Sequence, residues 1–203
     1  MALRAYDDRM TVDEYIALQR RSVDIKHEYI HGHVVAMVGA SEEHNTINFN
    51  TSASIHGQLK GKSCRGYTTD MRVRVTPQMY TYPDIIVVCG DPQFADDQFD
   101  TLLNPTLIIE ILSPSTERYD RGRKFAYYRA LPTLQEYVLI AQDEPRIQRY
   151  LRRTDDEQWL FTEAAGLGAT LAPTSIDCTL TLADVYDRID FDTDAEPPTE
   201  QDS

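Results

Sequence analysis

Long hydrophobic runs are missing from this chain of 203 residues. No stretch of about 18 uncharged apolar residues is available to span a bilayer, and the opening MALRAYDDRM lacks the apolar core of a signal peptide. The expectation is a soluble, cytoplasmic protein with no membrane partner. Cysteine is scarce as well: Cys64, Cys89 and Cys178 are far apart and odd in number. This predicts neither a disulfide framework nor a paired-cysteine metal site, so each reads as a small buried apolar residue. Basic residues are few, 20 Lys and Arg against 33 Asp and Glu, for a formal charge of -13. Phosphate contacts depend on Lys and Arg, and the balance therefore argues against casual nucleic-acid binding. No internal repeat is present either, which excludes a repeat architecture.

The acidic excess is uneven. Asp184, Asp187, Asp190, Asp192, Asp194, Glu196, Glu200 and Asp202 face only Arg188 near the end of the chain, and FDTDAEPPTEQDS is polar and proline-containing. Residues 191–203 are expected to be an acidic disordered tail. Residues 1–190 read as one domain, because this length and 41% hydrophobic content suit a single core. Residues 117–129 are locally basic, with Arg118, Arg121, Arg123, Lys124 and Arg129.

Changes of period along the chain predict its elements. Thr11-Val-Asp-Glu14 is a capping box opening a helix to about residue 20, and 27–38 reads as two strands around His31-Gly32. A helix follows over 42–59, then strands at 65–67, 71–75, 84–89 and 106–112. A second long helix is expected over 116–130, then strands at 136–140, 147–152, 159–162 and 176–180, and a last helical turn from Leu182. The class is α/β, or α+β in looser terms.

Two of these strands carry misplaced charge. Asp84 opens the run DIIVV directly after Pro83, and Glu110 lies inside LIIEIL. An ionised carboxylate withdrawn from water needs a cation or hydrogen-bond donors. Two carboxylates at one site are commonly reconciled by a divalent metal, and Mg²⁺ suits oxygen donors. Taken singly, each acid could instead form a salt bridge to an arginine. Lys124, in the helix after the Glu110 strand, is placed to turn its ammonium back over the strand end. Two acids, one cation and one metal are the parts that phosphodiester hydrolysis needs.

The segments YPDIIVV, IIEILSPST, DRGRKFAYY and LQEYVLI, with the earlier TTDMRVRV and HEYIHGHVVAM, resemble the Uma-type family of restriction-endonuclease-like proteins in the PD-(D/E)XK nuclease superfamily. The resemblance runs from about residue 11 to about residue 186. It implies a restriction-endonuclease-like mixed β-sheet flanked by helices, with extra C-terminal strands. It further implies a Mg²⁺ (or Mn²⁺) endonuclease that acts on DNA as a homodimer. Asp84 and Glu110 become metal ligands, with the backbone carbonyl of Ile111 a third. The superfamily lysine usually follows the second acid by two positions; here that position is Leu112, and the resemblance moves the role to Lys124 in the next helix. Glu28 resembles an early acid that reaches the metal through water, though a surface ion pair would also explain it. His44 matches a family histidine that contacts phosphate or metal, or else makes a hydrogen bond at a helix start. Asp70 reads as a residue at the site's rim or as a turn cap, Tyr128 as a donor to a carboxylate or a core aromatic, and Asp120 as a partner of Lys124 or of a backbone donor. The alternative function is a non-catalytic nucleic-acid or protein-binding module that retains the fold, which the net acidity favours.

Overall fold

The computed structural model describes residues 9–22, 25–37, 39–153 and 158–191. Helix α1 (Val12–Arg21) starts on a complete capping box: the Glu14 amide donates to Thr11 Oγ1 at 3.3 Å, and the Thr11 amide donates to Glu14 Oε2 at 2.8 Å. Two amides that the helix itself cannot satisfy are thereby bonded. Strands β1 (His27–Ile30) and β2 (His33–Ala36) form a hairpin closed by His31 and Gly32, with φ of 50° and 93°. Positive φ at both turn residues matches the right-handed twist of the flanking strands. Helix α2 (Glu42–Leu59) is capped by Ser41 Oγ, which accepts from the His44 amide at 3.1 Å.

Strands β3 (Cys64–Thr68), β4 (Arg72–Thr76), β5 (Met79–Thr81), β6 (Ile85–Cys89), β7 (Thr101–Leu102) and β8 (Leu107–Ile111) follow. A helical segment comes next: α3 (Glu117–Tyr119), a π turn (Asp120–Lys124) and α4 (Phe125–Tyr128). The chain continues through β9 (Glu136–Ile140), β10 (Arg146–Arg152), β11 (Trp159–Ala165), β12 (Thr170–Leu171), a 3₁₀ turn (Thr174–Ile176), β13 (Leu180–Thr181) and α5 (Leu182–Val185). The central sheet has the order β11-β10-β9-β8-β6-β3, with β8 and β9 parallel and the other pairs antiparallel. A second, five-stranded sheet has the order β2-β1-β5-β4-β7. These are mixed sheets with helices against them, the α+β architecture anticipated.

Strand alternation in the central sheet splits the core packed on it in two, and a third cluster of Tyr15, Tyr29, Val34 and Tyr80 lies under α1. Ile85, Val87, Ile109, Ile111, Val138 and Ile140 pack with Ile47 and Ile55 of α2 and with Leu182 of α5. Ile86, Val88, Ile108, Leu112 and Leu139 point the other way, onto Tyr128, Leu131, Leu134 and Tyr137. Glu110 shares the parity of Ile108 and Leu112, and this second face is where α4 lies.

Four expectations need correction. The helix over 116–130 is interrupted by the π turn. The strand over 176–180 is instead the 3₁₀ turn followed by β13, because the buried carboxylate of Glu136 captures the amides and hydroxyls of Thr174 and Ser175 at 2.6–3.1 Å. Strands β5 and β7, three and two residues long, had not been expected. Finally, Cys64 and Cys89 are not separate apolar residues but a disulfide. They are 25 residues apart in sequence yet directly opposite in the β3–β6 register. Cys178 is free and buried, as expected. Residues 192–203 of the anticipated tail lie outside the described residues, and Phe191 packs against the first core.

Candidate active site

Strand register brings the two carboxylates together. Ile85 pairs with Ile109 and Ile86 with Ile108, so one further step sets Asp84 opposite Glu110 on the same face. The ladder stops there because Asp84 lies just outside β6, and its Oδ2 accepts from the Ile111 amide at 2.8 Å. A strand residue directs its N–H and C=O to the same edge, which turns the Ile111 carbonyl toward Asp84 as well. Asp84 Oδ1 is hydrogen-bonded to His44 Nε2 at 3.1 Å. The first turn of α2 thus reaches the end of the central sheet.

The helical segment covers this end from the second face. Lys124 Nζ lies 2.8 Å from Glu110 Oε1 and 3.5 Å from both Glu28 Oε1 and Asp120 Oδ1. Tyr128 donates to the same Glu110 Oε1 at 2.8 Å and shares a 3.1 Å hydrogen bond with Thr81 Oγ1. Asp120 and Lys124 are the two ends of the π turn, a helical irregularity frequent at functional sites. Four carboxylates, Glu28, Asp84, Glu110 and Asp120, are buried around one buried ammonium, none more than 8% exposed. Burial pushes the Glu110 carboxyl up to about 8, reinforced by the Asp84 and Asp120 charges and opposed by Lys124. Burial alone would lower the Lys124 ammonium, but Glu110, Glu28 and Asp120 outweigh it and hold it well above its ordinary value. The Tyr128 phenol is likewise driven well upward by burial, so it stays a donor.

The cluster forms the floor of a cleft of about 850 Å³. Its walls come from the β1–β2 hairpin, the start of α2, the loop over 113–116, and Tyr119 and Gln142. Asp70 does not join them: its side chain is 85% exposed and pairs with Lys26. Leu112 is buried in the second core, leaving the position two residues after Glu110 with no charge to offer. Sequence reasoning missed Tyr119 and Gln142. Tyr119 Oη and Gln142 Oε1 are buried with no hydrogen-bond partner, and both residues line the cleft.

The donor set can be weighed for a metal. Among the described residues no three His, Cys, Asp or Glu side chains converge as ligands. Asp84, Glu110 and the Ile111 carbonyl offer hard oxygen donors only, and both hydrogen bonds found on Glu110 fall on Oε1, so Oε2 is available. Mg²⁺ is typically held in this way, by one or two carboxylates with water completing the shell. The orphaned oxygens of Tyr119 and Gln142 leave hydrogen-bonding capacity unused in the cleft lining.

Known proteins agree with this architecture. An uncharacterized protein of Synechocystis sp., sll1609, is 35% identical over 163 residues, covering 80% of this chain and 91% of the relative. A second, slr1290, is 37% identical over 154 residues, 75% and 79% of the two chains. A crystal structure from Anabaena variabilis, described as a putative nuclease belonging to DUF820, superposes with a TM-score of 0.72 at 21% identity, covering 87% of this chain and 97% of that one. That likeness establishes a restriction-endonuclease-like fold. Residues 12–183, which carry every site residue above, match the Uma2 family, described as "Putative restriction endonuclease", and the chain belongs to that family.

Proposed function

We propose that the protein is a Mg²⁺- or Mn²⁺-dependent nuclease that hydrolyses phosphodiester bonds in DNA. The observation that carries this reading is the placement of Asp84 and Glu110 opposite each other, with Lys124 Nζ 2.8 Å from Glu110, at the floor of an open cleft. Asp84, Glu110 and the Ile111 carbonyl would hold the ion. When bound, the ion supplies Lewis-acid polarisation of the phosphate and a water of lowered pKa.

The chain's own groups do the rest. His44 fixes Asp84 Oδ1, and the Ile111 amide fixes Oδ2, so the first ligand cannot rotate away. Tyr128 and Lys124 both hold Glu110 Oε1, turning Oε2 outward. Glu28 and Asp120 hold the Lys124 ammonium from two further sides, where it orients the attacking water and stabilises charge developing on phosphate. The water oxygen bonds to phosphorus and the ester P–O bond breaks; the leaving oxygen keeps the electron pair and takes up a proton as the water gives one to solvent.

One cluster per chain cuts one strand, and a homodimer would be needed to cut both at once. The test is a cleavage screen on DNA and RNA oligonucleotides with Mg²⁺, Mn²⁺ or EDTA. Metal-dependent DNA cleavage that Glu110→Gln abolishes supports the reading. Nucleic-acid binding with no cleavage under either metal overturns it in favour of a binding module.

A further inference from the structure

The floor of the cleft is deep, and one wall carries an aromatic side chain that none of the described residues covers. Phe49 is 74% exposed, the most exposed large apolar residue among those described, and it lines the cleft. It belongs to a stripe of α2 made by Asn45, Asn48, Phe49 and Ser52, residues spaced to share one helix face. The residues α2 buries are Ile47, Thr51, Ile55 and Leu59; Asn48 and Ser52 border that stripe, whereas Phe49 lies on the side of the helix away from Ile47 and Thr51. Phe49 is therefore not a core residue left partly uncovered. On its own stripe of α2 its neighbours are the amides and hydroxyl of Asn45, Asn48 and Ser52, where the apolar patch of a subunit contact would set further apolar side chains.

Those neighbours are arranged to bond something else. Asn48 Oδ1 accepts from Ser52 Oγ at 3.2 Å, so among the described residues its Nδ2 is left to donate. Asn45 donates from Nδ2 to the Ser41 carbonyl at 2.7 Å, leaving its Oδ1 to accept. Across the cleft, Tyr119 Oη and Gln142 Oε1 are buried without partners. A planar ring flanked by a free amide donor and a free amide acceptor is the chemistry that takes a nucleobase: stacking on its face and bonding to its edge.

Access gives the second constraint. Glu110 is 4% exposed and Asp84 7%, so the phosphate to be cut must descend between the cleft walls. A stacked duplex is about 20 Å across and presents its phosphates on a convex outer surface, whereas a single unstacked nucleotide fits a space of about 850 Å³. The cleft also offers few cations to phosphate: among the described residues Lys26 and Lys124 are its lysines and no arginine lines it. Affinity must then come from stacking more than from counter-charge.

We propose that the substrate is a nucleic-acid strand with an unpaired nucleotide, a single strand or the unpaired part of a duplex, whose base stacks on Phe49 beside Asn45 and Asn48 while its phosphate reaches Asp84 and Glu110. This rests on the nuclease reading for the reaction but not for the binding. The step remains hydrolysis, with one water consumed and one P–O bond broken per cut.

The experiment pairs binding with cleavage. Fluorescence anisotropy is read with an end-labelled single-stranded oligonucleotide, the matching duplex, and a duplex with an unpaired bulge, in Ca²⁺; cleavage of the same three is read in Mg²⁺. Wild type is compared with Phe49→Leu, Phe49→Trp and the remote surface variant Leu160→Ala. Single strand and bulge should bind and be cut in preference to duplex. Phe49→Leu should weaken single-strand binding about 10-fold, on the scale of one lost base–aromatic stack, with an unchanged melting temperature. Phe49→Trp should restore binding, and Leu160→Ala should change nothing. Single-strand binding that depends on Phe49 without any cleavage keeps this inference and ends the nuclease reading. Equal cleavage of duplex and single strand, indifferent to Phe49→Leu, ends this inference and keeps the nuclease. A dimer in sedimentation that Phe49→Leu dissociates, with strand binding unaltered, also overturns it, as does the absence of any binding.

Discussion

Asp84 and Glu110 stand opposite each other across β6 and β8, one register step beyond the Ile85–Ile109 pair and on the same face of the sheet. Like charges in directly opposed positions are destabilising, and here the pair is also buried. Lys124 relieves part of this, but it serves Glu28 and Asp120 as well. An excess of carboxylate favours a proton on Glu110, and under the proposed function a further cation would take that proton's place.

Asp84→Asn should weaken Mn²⁺ or Mg²⁺ binding by at least about 10-fold while changing stability by less than about 1 kcal/mol. Asn keeps an oxygen for the Ile111 amide and removes one of two opposed charges, so the fold loses little. Calorimetric metal titration and thermal melting check both halves. Unchanged metal affinity in this variant would remove Asp84 from the ligand set.

The pH dependence follows from Glu110. Its folded carboxyl titrates near 8, raised by burial from an ordinary 4.5. Between those values the native chain holds a proton that the unfolded chain has lost, so this group's contribution to stability falls as pH rises through the window and is level above it. In EDTA, wild type should lose more melting temperature than Glu110→Gln between about pH 5 and about pH 8. Added Mg²⁺ should reverse part of that slope, because binding needs the ionised carboxylate and releases the proton. Parallel melting curves for the two proteins across that range would count against a proton held on Glu110.

Much of this is legible in the sequence, and what is not has definite causes. Strands β6, β8 and β9 are apolar on both faces, and within them Asp84 and Glu110 stand out because a carboxylate there is costly. Helix α2 was placed to the residue because its stop signal, Gly61 at φ 80°, is local. Lys124 was legible from its place in the helical segment after the Glu110 strand, and the family resemblance added its displaced-lysine role; the π turn that directs it was not, since periodicity alone does not reveal a π turn. Tyr119 and Gln142 were missed for the same reason: their unpaired oxygens exist only once the cleft closes around them. The Cys64–Cys89 bond depends on register between strands 25 residues apart, a relation that cysteine spacing does not reveal.

That bond leads to a third expectation. It closes a 25-residue loop, and loop-closure entropy gives it a stabilising effect of about 3.5 kcal/mol. Reduction, or the double replacement of Cys64 and Cys89 by Ser, should lower the melting temperature by several degrees, as calorimetry with and without reductant will read. Metal affinity should hold below the new midpoint, because Cys89 lies at the opposite end of β6 from Asp84. No change in melting temperature would mean that the disulfide contributes nothing to the fold.

The most direct test of the account is the single-turnover rate of phosphodiester cleavage by Lys124→Met at saturating Mg²⁺, with metal binding measured on the same sample. Methionine keeps the length and apolar stem of Lys124 and removes its charge, and Glu110, already raised by burial, can take a proton in compensation. The account predicts bound metal and a rate lower by about 10² or more, the scale of losing one electrostatic stabiliser of a transition state. A variant that melts much earlier yet cleaves at the wild-type rate below its midpoint would contradict it, and would make Lys124 a structural counter-ion to Glu110.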